Sequence, residues 1–513
     1  MAGEPVTSGD PDSSVLANPT SGLPDPLETA SIRYDPSLSE LRSDSEDLET
    51  TTEYGSASYV SRVRSRCADR TLNAVDDGFE AEDWRLIEEA VREVGGREML
   101  CLDRQLGRHP DHTYTCRLFV PTGYGRIALA WAKLLEPVAP GTDPDFVTIQ
   151  LPDYEHQAIR VLPEEGLTVV CGSDYTGEAK KSFLRLFMYR AKRAGGLGLH
   201  AGSKHVTLET GAGLTEVDQL FLGLSATGKS TLTGHGLWLE EPEGTEMRQD
   251  DVCALLPDGA VAGSEGGGLY VKTIGLDPDE QPGIHHAATQ PETVLENVAV
   301  GSDGTVDFDD DRYTRNGRAV IRREDLPCAG EAIDSERADQ LFFITRNPLC
   351  PPIARLSTRQ AAAAFMLGES IETSAGDPDR AGEAIRVVGT NPFIVGPEGE
   401  EGNRFLELIE ANEIEPYLIN TGSIGEGERE RDIGVSDTVA ILTAVARGGL
   451  EWRTDETLGL EVPVEVPGTE IGRFSVTEAY PDAESHLAEL RAERRAYLEG
   501  FPTLREDIRE AVY

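Results

Sequence analysis

Residues 223–230 read GLSATGKS and fit the phosphate-loop pattern G-x-x-x-x-G-K-[S/T]. Gly223 and Gly228 let the backbone curl so that the N–H groups of Leu224, Ser225, Ala226 and Thr227 can turn toward phosphate oxygens. Lys229 brings a point charge to the β- and γ-phosphates, Ser230 offers a hydroxyl to Mg²⁺, and Thr231 completes the stretch. The run VDQLFL before the loop reads as a strand. The segment after it can begin a helix whose N-terminal dipole favours phosphate. The loop says that a phosphorylated ligand is held, but not which one.

Its neighbours add chemistry. Asp250 and Asp251 follow 21 residues after Lys229, and paired aspartates behind a phosphate loop can bind a cation and orient its water. Upstream stand Tyr175, the adjacent Lys180 and Lys181, and His200 in the Gly-rich stretch GLGLHAGSKH. Each has a bland reading alone: a solvated acidic turn, a helix cap, a structural histidine. Their order along the chain gives them weight.

These residues must be positioned by a chain of 513 residues, long enough for two large domains. Residues 1–50, with eleven acidic and two basic residues and no helical or strand period, read as an acidic disordered arm. Residues 51–195 read as an N-terminal α/β domain on the substrate side. Residues 196–513 read as a C-terminal nucleotide-binding domain on a mixed sheet, ending in a charged helix. In the first domain, residues 83–94 have the period of an amphipathic helix, with Leu86, Ile87, Ala90 and Val94 on one face. Residues 117–120, 146–149 and 167–171 read as strands, and residues 182–193 as a helix. Residues 301–310 carry a turn signal followed by alternation. Residues 482–499 form the charged helix, with Leu487, Leu490, Tyr497 and Leu498 inward.

Composition narrows the class. With 92 acidic and 47 basic residues the net charge is -45, the reverse of a nucleic-acid binder. Only seven of the basic residues are lysine, none before Lys133 or after Lys272, so each lysine has a raised chance of serving chemistry. Acidic, lysine-poor chains resemble proteins of extreme halophiles, where molar salt cuts the screening length to about 3 Å and makes such a surface tolerable. The seven cysteines are irregularly spaced with no C-x-x-C pair, and are expected as buried reduced thiols. No apolar run is long enough to span a membrane, and the first residues lack the marks of a signal peptide. A cytoplasmic protein without membrane or nucleic-acid partner is expected, most simply a monomer.

Read in order, the motifs resemble those of the ATP-dependent phosphoenolpyruvate carboxykinase family, over roughly residues 54–470. The counterparts are YTGEAKK at 175–181, His200, GLSATGKS at 223–230, Asp250–Asp251, GGLYVKT at 267–273, LENV at 295–298, PPIARL at 351–356 and YLINTG at 417–422 with Asp437–Thr438. The resemblance implies that family's two-domain α/β fold. It also implies the reversible conversion of oxaloacetate and ATP to phosphoenolpyruvate, ADP and carbon dioxide, with Mg²⁺ and Mn²⁺. Loss of carbon dioxide leaves an enolate that needs cationic stabilisation before its oxygen attacks the γ-phosphate. By the resemblance Lys181, His200 and Asp251 would ligate Mn²⁺, which requires Lys181 to be neutral. Ser230 would hold the nucleotide Mg²⁺ and Lys229 the phosphates. Arg355 would bridge substrate and γ-phosphate, Tyr175 would contact oxaloacetate, and Thr438 would lie on the adenine side.

Departures from the family pattern leave positions open. The substrate arginine falls on Arg64 or Arg66. The family glutamate before Gly-Gly-x-Tyr falls on Gly266, with Glu265 displaced by one. A later acidic position is Gln281, and the adenine-side arginine has only Arg429 or Arg431 to match it. Ala226 stands where the family loop has Gly, so an ordinary L-residue φ is expected there, and Ser230 stands for Thr. Two other readings stand beside the carboxykinase: another phosphotransferase of this loop class acting on a small acid or a protein, and a nucleotide-binding regulator without turnover.

Overall fold

A computed structural model of the chain describes residues 19–211, 213–224, 227–279, 281–371 and 384–513. Its first half contributes strands β1 (Ile32–Tyr34), β2 (Ala57–Tyr59), β3 (Thr71–Asn73), β4 (Met99–Leu106), β5 (Tyr114–Pro121), β6 (Phe146–Leu151), β7 (Ala158–Leu162) and β8 (Leu167–Cys171). Helices α1 (Ala81–Gly96), α2 (Gly125–Ala132) and α3 (Thr176–Arg193) lie among and after them. The strands form a mixed sheet in the order β1-β4-β5-β6-β8-β7-β3, with a short strand Glu136–Pro137 beside β4. Strands β6 and β8 are buried along their whole length because helices cover both faces, which is why they read as continuous apolar runs. Helix α1 packs Ile87, Ala90, Val91 and Val94 on one face against Phe119, Val147 and Ile149. Helices α2 and α3 cover the other face with Trp131, Phe183 and Phe187.

The second half builds a larger layered unit. Its strands are β9 (Ala201–Thr210), β10 (Gly213–Leu222), β11 (Gly244–Gln249), β12 (Gly268–Lys272), β13 (Val294–Glu296), β14 (Arg318–Arg322), β15 (Gln340–Thr345), β16 (Ile353–Arg355), β17 (Glu415–Asn420), β18 (Trp452–Asp455) and β19 (Leu460–Pro463). Its helices include α4 (Lys229–Gly234), α5 (Thr358–Leu367), α6 (Glu398–Ala411), α7 (Val435–Arg447) and α8 (Ala483–Glu499). Eight strands pair in the order β11-β9-β10-β15-β17-β16-β19-β18, and the central β10, β15 and β17 run parallel. Helices α5 and α6 cover one face through Phe365 and Phe405, and α4 and α7 the other through Leu232, Val439 and Leu442. A smaller sheet, β12-β14-β13-β2 with a short strand Thr50–Thr51 beside β2, lets β2 from the first half pair in parallel with β13 from the second, Ala57 opposite Val294. The molecule is thus α/β with mixed sheets, and the two large sheets part at the turn after α3.

Several expectations change. The disordered arm was expected through residue 50; residues 1–18 lie outside the described residues, but 19–50 are ordered. There β1 pairs with β4, and a short helix, Leu38–Ser43, closes with a full capping box. Ile32 and Leu41 are buried, so a few well-spaced apolar residues anchor a segment whose average composition looks solvated. Helix α3 begins at Thr176, six residues before the expected start, because polar TGEAKK is buried rather than exposed. Helix α8 carries Leu487, Leu490 and Leu498 inward as expected, and also Arg494, whose Nε donates to Glu369 at 2.7 Å; a short helix, Glu506–Arg509, follows it. All seven cysteines are free, and six are buried. No helix of the described residues is long and apolar enough to cross a membrane.

The surface bears on the charge. All seven lysines fall among the described residues, and each is buried or half-buried. Exposed charge is therefore carried by Asp, Glu and Arg. Self-repulsion of a net charge of -45 should destabilise the fold at low ionic strength and be screened in molar salt. Thermal unfolding should accordingly shift upward on the order of 10 °C between 0.1 M and 2 M KCl. A melting temperature that is flat or falls over that range would contradict it.

Candidate active site

The parallel strands β10, β15 and β17 end on the same edge of the large sheet, and Gly223, Arg346 and Thr421 follow them directly. A cavity of about 870 Å³ opens there, the place where ligands bind on open α/β sheets. The phosphate loop bends tightly into it. A Cβ at residue 223 would come within 2.5 Å of Thr227 Oγ1 and 3.1 Å of Ile344 Cβ, so only glycine fits. Gly228 adopts φ 96° as it leads into α4. Thr227 Oγ1 donates to Leu224 O at 2.8 Å, and Thr421 Oγ1 donates to Thr227 O at 2.8 Å, tying the loop to the end of β17. Gly223, Leu224, Thr227, Gly228, Lys229, Ser230, Thr231 and Thr438 all line the cavity. Ser225 and Ala226, with the φ expected of Ala226, lie outside the described residues.

Charge is inverted in this cavity. Among the described residues Arg66, Lys181, Lys229, Lys272, Arg315, Arg318 and Arg346 line it against only Asp250 and Asp251, in a chain with twice as many acids as bases. Such a cleft attracts anions.

Asp251 sits at the convergence. Its Oδ2 accepts from Lys180 Nζ at 2.8 Å and also from Lys181 Nζ, while its Oδ1 lies 3.0 Å from His200 Nε2 and 3.9 Å from Lys229 Nζ. The two amines share one oxygen but differ in their second partner. Lys180 also pairs with Glu265 at 3.0 Å, and its pKa is raised above the usual lysine range because the two carboxylates outweigh burial. Lys181 forms no second ion pair among the described residues, and burial, aided by the Lys180 charge, lowers its pKa to about 7. The lysines hold Asp251 well below the usual carboxylate range despite its burial. Glu265, displaced by one from the expected position, nevertheless reaches the centre.

His200 indicates what could join this cluster. Its Nδ1 lies 2.6 Å from the Thr390 carbonyl, which can only accept, so Nδ1 carries the proton. In the neutral ring, Nε2 then presents a lone pair to the Asp251 carboxylate oxygen, and two acceptors 3.0 Å apart repel unless a cation lies between them. A second proton is disfavoured, because burial and then the Lys229 charge lower the imidazole pKa to about 4. Thr390 holds φ 51°, costly for a β-branched residue by of order 1–3 kcal/mol, so the turn that presents its carbonyl is strained at the site. Among the described residues no three His, Cys, Asp or Glu side chains converge as a metal site, so a cation here would need an amine ligand. Lys181 can supply one once neutral. Asp250 Oδ1 and Lys229 Nζ are buried without a hydrogen bond, two further polar atoms aimed at a ligand. The residues fit a divalent cation beside a phosphate.

The remaining walls correct the sequence reading. Tyr175 lies in the cavity, its hydroxyl accepting from Asn316 Nδ2 at 3.0 Å. Of the two open arginines, Arg66 reaches the cavity with its guanidinium 4.2 Å from the Phe393 ring centroid; Arg64 turns away to donate to Tyr313 O at 2.6 Å. Arg355 was expected to bridge substrate and γ-phosphate, but it does not line the cavity. It ends β16, which runs antiparallel to β17, so Arg355 pairs with Tyr417 and faces the opposite end of the sheet. There its Nε donates to Glu461 at 2.9 Å and its guanidinium lies over Trp452. The arginine that faces the site is Arg318, which donates to Asn316 Oδ1 at 2.8 Å and lies 5.3 Å from the Tyr270 ring centroid. Arg318 opens β14 opposite the cavity residue Lys272, a pairing across 46 positions that no local pattern announces. Arg429 and Arg431 are exposed and do not line the cavity, whereas Gln281 does.

Comparison with known proteins agrees with this geometry. The model of the phosphoenolpyruvate carboxykinase family matches residues 63–471. The chain is similar to the phosphoenolpyruvate carboxykinase (ATP) of Aeropyrum pernix, 35% identical over 486 residues, covering 93% of this chain and 96% of the relative. It is 32% identical to that of Mesorhizobium japonicum, over 67% of this chain and 64% of the relative. With that of Thermus thermophilus the identity is 30%, over 65% and 62%.

A lysine with pKa near 7 that faces a cavity, in a protein with no exposed lysine, should react first with a small anionic amine reagent. Trinitrobenzenesulfonate at pH 8, followed by peptide mapping, should mark Lys181 ahead of the other six. Labelling spread evenly over the lysines would contradict the arrangement.

Proposed function

The chain belongs to the phosphoenolpyruvate carboxykinase family, and on that premise we propose that it converts oxaloacetate and ATP to phosphoenolpyruvate, ADP and carbon dioxide. The reaction serves the gluconeogenic direction, in the cytoplasm, with the monomer as the working unit. The observation that carries the reading is the Asp251 cluster: one buried carboxylate between two lysines and a histidine, facing a phosphate loop in a cationic cavity.

The residues divide the work by position. The phosphate loop, Lys229 foremost, binds the triphosphate and holds its reacting end toward Asp251. Ser230 would hold the nucleotide Mg²⁺, and Lys181, His200 and Asp251 would hold Mn²⁺. Bound cations supply positive charge beside the oxygens on which negative charge develops. Lys181 would serve as a ligand in its neutral form, which its lowered pKa makes accessible near neutral pH. Lys180, kept charged by Asp251 and Glu265, leaves a fixed positive charge behind the Asp251 carboxylate without itself lining the cavity. Tyr175, Arg66 and Arg318 bind and orient oxaloacetate, the planar guanidinium forks suiting its carboxylates. Asp250 orients the water around the cation.

Nothing favours the reading of an inactive nucleotide-binding regulator, since Lys181, His200, Lys229 and Asp251 stand in one cluster.

The test is formation of phosphoenolpyruvate from oxaloacetate and ATP with Mg²⁺ and Mn²⁺ in molar salt. Arg318→Gln should lower kcat/KM for oxaloacetate by about 10²–10³-fold, the usual effect of losing one charged donor at a reacting centre. Arg355→Gln, altering a half-exposed pair with Glu461 and a contact with Trp452 away from the cavity, should change it by less than about threefold. Absence of phosphoenolpyruvate would overturn the function, and equal losses in the two variants would overturn the placement of the substrate.

A further inference from the structure

Arg346 follows β15, lines the cavity, and has its Nε buried without a hydrogen bond; no ion pair joins it to any described residue. Arg66 and Arg318 on the same cavity share the buried Nε, but the first lies over the Phe393 ring and the second donates to Asn316. In a chain with 92 acidic residues, a half-buried guanidinium without a carboxylate among the described residues suits an anionic partner from outside the fold. No described carboxylate pairs with it, whereas Lys181, His200 and Lys229 all lie within 3.9 Å of the Asp251 carboxylate. Arg346 therefore stands apart from the reacting centre.

Its neighbours say which part of a ligand it meets. On one side is the phosphate loop, whose first residue, Gly223, follows β10 next to β15. On the other are Thr421 and Gly422 after β17, with Gly422 packed directly against the arginine stem and Thr421 bonded to the loop at Thr227. Beyond them Ile433, Val435 and Thr438 form a less polar wall. A nucleotide held by the loop, with its reacting phosphate at Lys229 and Asp251, would carry its inner phosphates past Arg346 on the way to that wall.

We infer that Arg346 is a nucleotide-affinity residue that grips the phosphates retained after transfer, rather than the phosphate that moves. The inference rests on the nucleotide reading of the site. A guanidinium fork suits two phosphate oxygens at once, which an ammonium cannot match.

Calorimetric titration of the full chain with ATP and with ADP, in Mg²⁺ and molar salt, tests this. Arg346→Gln should weaken both nucleotides together, by roughly 10- to 100-fold for a lost charge-assisted pair. Arg346→Lys should fall between that variant and the wild type, and serves if the glutamine variant does not fold. Mn²⁺ binding measured without nucleotide should be unchanged in either variant. Loss confined to ATP would place the contact at the transferred phosphate and overturn the inference, as would unchanged affinity for both. A wild-type chain that binds neither nucleotide would instead overturn the nucleotide reading itself.

Discussion

The Asp251 carboxylate is the constraint on which the site depends. Removing an ion from water costs several kcal/mol unless partners replace the hydration. Asp251 finds its partners in residues delivered by separate elements: Lys180 and Lys181 from α3, His200 from the stretch before β9, and Lys229 from the start of α4. Each partner is over-determined in turn. Asp251 and Glu265 together hold the charge of Lys180, and the strained Thr390 turn fixes the proton of His200. What remains adjustable is the proton on Lys181 and the gap between an imidazole lone pair and a carboxylate. The cluster is poised for a cation because its polar groups cannot all be satisfied by one another.

The second constraint is the contrast between surface and cavity. Seven cationic side chains line a cleft in a molecule of net charge -45, and no lysine is spent on the exterior. At low salt the exterior field would repel an anionic substrate over about 10 Å or more. In molar salt that field is cut to about 3 Å, while contacts inside the cavity keep their strength. The same salt that permits the surface therefore leaves recognition to close contact. The buried and half-buried lysines fit this division, since each is held by a specific partner or faces the cleft.

Much of the chemistry was legible because its residue types are rare here or its spacing is short. The phosphate loop is eight contiguous residues, Lys181 is one of seven lysines, and Asp250–Asp251 is an adjacent pair. Continuous apolar runs such as Leu167–Cys171 announced the buried strands, and the period of residues 83–94 announced α1. What could not be read depends on pairing across long stretches or on the direction of a strand. Arg355 sits in a motif that looked right, yet an antiparallel strand carries it to the wrong end of the sheet. Arg318 and Arg346 are single arginines among forty; only the register of β14 with β12, and the edge where β15 ends, bring them to the cavity. Residues 19–50 were misread because composition averages over a segment, whereas Ile32 and Leu41 are individually enough to anchor it.

On the proposed function, Asp251 and its partners form a cation site completed by an amine. A crystal of the protein soaked in Mn²⁺ alone, with anomalous data collected at the manganese edge, tests it most directly. The account predicts one strong peak within coordinating distance of His200 Nε2, Asp251 Oδ1 and Lys181 Nζ, with the Lys181–Asp251 hydrogen bond broken. A cluster left without a peak, or manganese bound elsewhere while Lys181 keeps its bond to Asp251, would contradict it.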